Sequence, residues 1–181
     1  GGDAVWCVHL WAGGAGGGCR AGVVARGRAR GAGETVRGVS EGAQRLARQA
    51  VAAARRCDVP VAQSLAERAY GVADVHLGRL ARATGHLRRA VALADGVDPR
   101  VAADARISLA FALTRQGDLR GAVSEISEAL GGLTGDQRAA GLAQRAAIQQ
   151  QLGHLDAAEA DYREALPVLR AADDRVRVQR V

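Results

Sequence analysis

Lysine, asparagine and methionine are absent from the 181 residues, and all 25 basic side chains are arginine. The missing types have AT-rich codons, as a GC-rich genome would give, so arginine in place of lysine carries little functional weight by itself. The absence still excludes chemistry. A phosphate loop ending Gly-Lys-Ser/Thr needs its lysine, and the dinucleotide pattern G-x-G-x-x-G is never completed in the glycine-rich stretches "AGGAGGGC" and "ARGRARGAG". Aromatic residues make up 3% of the chain, too few for a β-sandwich built on aromatic and β-branched pairs. The three cysteines form no C-x-x-C pair, and their odd number makes a poor disulfide framework, which fits a reducing cytoplasm. No run approaches the roughly 18 apolar residues of a spanning helix. The signal-like "AVWCVHLWA" has no basic region before it and contains His9. The first residue is Gly rather than Met, which suggests a fragment or a misplaced start.

What the chain has in abundance is Ala, Leu, Val and Gly, and the first three favour close-packed helices. The net charge of +6 is uneven. Residues 1–58 hold nine arginines against Asp3, Glu34, Glu41 and Asp58, whereas residues 59–181 are nearly balanced, so no basic face is expected on the later part. Residues 1–37 are dense in glycine and arginine, and a flexible segment is expected there.

From residue 38 a pattern recurs. With Gly38, Gly78, Gly117 and Gly153 aligned, alanines fall at 43, 83, 122 and 158, and again at 50, 90, 129 and 165. Alanines seven apart share one stripe of a helix and let a neighbouring helix approach closely. A glycine between two helices can take the left-handed conformation that ends the first and turns the chain back. Leu87, Ile126 and Tyr162 fill the space between the alanines, and Leu80, Leu119 and Leu155 close each hairpin near its turn. The spacing predicts an all-α array: a first helix at 39–57, then hairpins of 59–77 with 80–95, 99–116 with 119–131, and 136–152 with 155–171. "DGVDPR" and "GGLTGD" are the connections. The closing "DDRVRVQRV" reads as the start of a further helix, a truncated next repeat within 38–181.

These columns resemble the tetratricopeptide repeat family, whose helix-turn-helix unit of about 34 residues places small residues at three fixed positions. The match is Gly71, Ala83 and Ala90 in one unit, Ala110, Ala122 and Ala129 in the next, and Ala146, Ala158 and Ala165 in the third. The usual Trp and Tyr of the first helix and the closing Pro are missing, so the form is degenerate. "RISLAFALTRQGDLRGAVSEISEAL" and "LAQRAAIQQQLGHLDAAEADYREALPVLRAADD" are also similar to the arrays that precede the caspase-like domain of actinobacterial CHAT proteins. That likeness implies the regulatory repeat part of a larger protein, with any protease domain outside this chain.

No catalytic constellation is read from the chain. Cys57 ends a helix, and His76, His86 and His154 lie on other hairpins, where no local signature pairs a thiolate with an imidazole. Cys7, His9 and Cys19 supply three candidate metal ligands rather than four, at a spacing unlike a zinc finger. Glu125 with Glu128, and Glu159 with Asp161, are explained by solvated helix faces. No enzyme activity, cofactor or metal is therefore expected. An arginine-rich arm with Arg26, Arg28 and Arg30 could grip phosphates, which keeps a nucleic-acid-associated regulator as the alternative to a protein-binding scaffold.

In the family resembled, the first helix of each unit lines a concave groove that holds a peptide. By that register the implied partner-binding residues are Arg68, Val72, His76, Ile107, Phe111, Thr114, Arg115, Ala147, Gln150 and Gln151. The carboxylate clamp of chaperone-binding members uses Lys and Asn, which this chain lacks, so a different protein or peptide partner is expected.

Overall fold

A computed structural model describes residues 5–12, 21–28, 34–57 and 59–178. Within them run seven α-helices: α1 (Glu34–Cys57), α2 (Pro60–His76), α3 (Leu80–Ala94), α4 (Pro99–Gln116), α5 (Leu119–Ala129), α6 (Gly135–Gln151) and α7 (Leu155–Val178). Helices α2 with α3, α4 with α5, and α6 with α7 form antiparallel hairpins stacked side by side, as the repeat spacing predicts. Proline opens α2 and α4, where its missing N–H costs nothing. Asp98 caps α4 by accepting from the backbone N–H groups of Arg100 and Val101, and Asp118 caps α5 by accepting from that of Gly121.

The three hairpin turns share one mechanism. Gly117 has φ +87°, a conformation that residues with a Cβ rarely adopt. It lets the Asp118 N–H reach back to the Leu113 carbonyl at 3.0 Å. The same closure joins Arg79 to Asp74 and His154 to Gln149.

Each hairpin then buries its small-residue column. Ala83, Ala90, Ala122, Ala129, Ala158 and Ala165 are all buried, together with Ala110, Ala146 and the larger Leu87 and Ile126 between them. Gly71 shows why the first column must stay small: a Cβ there would stand 2.5 Å from Leu87 Cγ and 3.1 Å from the Ala83 carbonyl oxygen. One core runs from Val75 to Ala165, and a second, alanine-lined one joins α1 to α2 through Ala47, Ala50, Val51, Ala54, Ala66 and Tyr70.

Three expectations are corrected. Helix α1 begins at Glu34, so Gly38 lies inside a helix and turns nothing, and the expected boundary between residues 37 and 38 falls within α1. Ala43 is only half-buried, and the stripe of α1 that packs on α2 is shifted to Gln44, Ala47, Ala50, Val51 and Ala54. At the other end α7 continues without a break to Val178, so residues 172–178 extend it instead of opening a truncated repeat; residues 179–181 lie outside the described residues. Ahead of the helices lie two paired strands, β1 (Val5–Ala12) and β2 (Ala21–Arg28), antiparallel with Val5 opposite Arg28 and Ala12 opposite Ala21. Cys7 and His9 lie on β1, whereas Cys19 and Arg30 lie outside the described residues.

Candidate functional site

The first helices of the hairpins, α2, α4 and α6, supply the ten residues expected to line a groove. Arg68 on α2 and Ser108 on α4 are joined directly: the guanidinium Nε donates to the Ser108 hydroxyl at 2.9 Å, and that hydroxyl donates to the Asp104 carbonyl. His76 and Arg115 are close enough for their charges to interact. Phe111, the only phenylalanine in the chain, is 43% exposed. By helical spacing it shares a face with Ser108 and Arg115, one turn away on either side. Val72 and Ile107 are half-buried against the main core, so they hold helices together as much as they line a surface. The Thr114 hydroxyl is spent on the Ala110 carbonyl at 2.8 Å. On α6, Ala147 is half-buried, and Gln150 and Gln151 are exposed in its last turn. Ser108 is not among the expected ten; a serine one turn before an exposed aromatic was its only trace in the sequence.

Burial lowers the His76 imidazole below its ordinary 6.5, and the charge of Arg115 pushes it the same way. A histidine depressed in the folded state binds its proton more readily in the unfolded chain. Stability from this source is therefore whole above the unfolded value and is lost as pH falls through it. Replacing His76 by Gln should flatten the decline of melting temperature between about pH 7.5 and 5.5. An unchanged slope would mean that His76 titrates as it does in water.

A second arrangement was not expected at all. Glu67, Tyr70 and Asp74 form one stripe of α2, and all three are buried. Each side chain is approached from both neighbouring helices. Glu67 Oε1 receives Arg55 of α1 at 3.1 Å and lies 3.9 Å from Arg89 of α3, while its Oε2 lies 2.7 Å from His86 Nδ1. The Tyr70 hydroxyl accepts from Arg48 of α1 at 3.3 Å and Arg82 of α3 at 3.0 Å. Asp74 accepts from Gln44 of α1 and stands 3.9 Å from Arg79, just before α3, and 3.5 Å from Arg82. The His86 ring lies against Tyr70 at a tilt of 33°, with centroids 4.1 Å apart. Residues 42–94 hold nine arginines against Asp58, Glu67 and Asp74, and two of those three acids are beneath the surface.

No family model matches the sequence, and neither does any curated protein. Solved structures do match. The crystal structure of BtubC (BKLC) from P. vanneervenii superposes with a TM-score of 0.66 at 15% identity, over 75% of this chain and 59% of that one. A putative kinesin light chain with nearly identical TPR-like repeats, from Podosopora anserina, gives 0.59 at 17% identity, over 75% of this chain and 69% of that one. The fold is a tetratricopeptide-like solenoid. MamA matches as well, with a TM-score of 0.56 at 18% identity, over 78% of this chain and 80% of that one. Relative to BtubC, this solenoid spans 59% of the neighbour's length. Among the described residues, no helix is long and apolar enough to cross a membrane.

Proposed function

We propose that the chain is a protein-interaction scaffold that holds a peptide or protein segment against the face of α2, α4 and α6. The observation that carries this is Phe111. A chain with one phenylalanine leaves it 43% exposed. It stands between an arginine fixed by Ser108 and a second arginine beside His76. An exposed aromatic flanked by arginines is the composition of an interface anchor, where a few residues dominate the affinity. A solenoid supplies such a face without any catalytic step, and the proposal assigns none to this chain. The likeness to arrays that precede caspase-like domains supports a role as the regulatory part of a larger cytoplasmic protein, in which the held segment controls an effector.

Selection of binders from a random peptide library displayed on phage tests the groove. Phe111→Ala should weaken the selected peptides by at least about tenfold, in the range of an interface anchor. Arg120→Ala, on the exposed side of α5, should leave them unchanged. Peptides that bind equally to the Phe111→Ala and Arg115→Ala variants would show that this face is not the site.

A further inference from the structure

The stripe of Glu67, Tyr70 and Asp74 gathers arginines from two helices onto the side of α2 that lies between α1 and α3. Arg55, Arg79, Arg82 and Arg89 each reach a buried carboxylate, yet their side chains remain 43 to 62% exposed. Each is thus paired from beneath while about half of its side chain stays open to solvent. Arg45 and Arg56 extend the same side of α1 and are also exposed. The asymmetry along the solenoid is strong: residues 95–171 carry eight arginines against eleven acids.

From this we infer that the outer face of α1, α2 and α3 is a phosphate-binding surface that takes the backbone of a nucleic acid duplex. Fixed guanidinium forks match phosphate oxygens bidentately, and the side-chain entropy that normally opposes such a contact is already spent on the buried acids. The choice of partner follows from what surrounds the arginines. A protein segment would need an apolar anchor to bind here, and the large hydrophobics exposed near them are two isolated aliphatic side chains, Leu46 at 36% and Val59 at 44%, with no exposed aromatic ring among them. A phosphate backbone needs no such anchor, because its affinity comes from charge and counterion release. A single strand would be held by stacking its bases on aromatic rings, and here Tyr70 is buried with the His86 ring tilted against it. The surface is separate from the concave face of the proposed scaffold, and it differs from the arginine arm expected at the N-terminus.

The test uses the full chain and a fluorescein-labelled DNA duplex of about 20 base pairs, followed by anisotropy across a salt series. The duplex should bind at low salt, with log affinity falling linearly as log salt rises. Arg45→Gln with Arg56→Gln, which removes no contact to the buried stripe, should weaken binding at least about tenfold and lower the salt slope by about two. Arg82→Gln with Arg89→Gln should do the same; if that pair loses helical circular dichroism, the Arg45 and Arg56 pair decides. Arg120→Gln with Arg170→Gln is the control and should change nothing beyond the small effect of net charge. Absence of binding at low salt would overturn the inference. So would loss of affinity only on replacing Arg26 and Arg28, tighter binding of a single-stranded RNA of equal length, or equal binding of a polyglutamate peptide.

Discussion

Ala122→Leu is expected to destabilise the solenoid by about 1 to 3 kcal/mol, the range for overpacking a closed interface. Ala122 is fully buried in α5, with Ala129 two turns on and Ile126 between them, so the added carbons have no room unless α4 and α5 separate. Arg120, two residues earlier, is exposed, and Arg120→Ala should stay within about 0.5 kcal/mol of the parent. Urea unfolding of both variants gives the comparison. A loss at Arg120 equal to that at Ala122 would mean that the alanine columns are accidents of an alanine-rich composition and do not mark helix contacts.

The larger effect belongs to Leu87. It is completely buried at the centre of the main core, and Leu87→Ala should cost about 2 to 5 kcal/mol, from lost burial and the cavity left behind. Gly71→Ala is expected to destabilise as well, because the new methyl would stand 2.5 Å from Leu87 Cγ. The gain in helix propensity of about 1 kcal/mol offsets only part of that strain. The two changes should not add. With Leu87 shortened, the Gly71 methyl has somewhere to go, and the double variant should be more stable than the sum of the single losses implies, by at least about 0.5 kcal/mol. Strict additivity in thermal unfolding would show that Gly71 and Leu87 do not press on one another.

The repeat region was legible because its determinants are local and periodic. The glycine at each hairpin turn, the proline at the start of α2 and α4, and the alanine columns each leave a mark at fixed spacing, and α3 was placed at 80–95 against the observed Leu80–Ala94. Gly38 misled for a physical reason. A glycine signals a turn only where the chain needs a positive φ, and inside a helix it is tolerated at a cost of about 1 kcal/mol. The strands were hidden by composition: "VWCVHLWA" and "AGVVARGR" contain the β-branched and aromatic residues of strands, but the glycines around them dominated. For the face of α2, α4 and α6 the sequence indicated the helices and a set of candidates, but not that Arg68 would meet Ser108. The buried stripe was half visible. Glu67, Tyr70 and Asp74 at i, i+3 and i+7 mark one side of α2, but nothing local tells which of the many arginines will cover them, since the arginine partners lie up to 22 residues away in sequence.

The polar stripe also bears on how α1 finds its seat. Apart from Val51 and Tyr70, the apolar contact between α1 and α2 is made of alanine methyl groups, with Ala47, Ala50 and Ala54 clustered with Ala62, Ala66 and Ala69. Two such smooth surfaces fit nearly as well after sliding by one turn, about 5.4 Å, so hydrophobic burial alone leaves the helix several nearly degenerate berths. Gln44, Arg48 and Arg55 break the degeneracy: they meet Asp74, Tyr70 and Glu67 in one berth only. In any other, a buried carboxylate loses its partner, which is costly in the protein interior. The stripe thus acts as a vernier, setting the position of a helix whose attachment comes from its alanines.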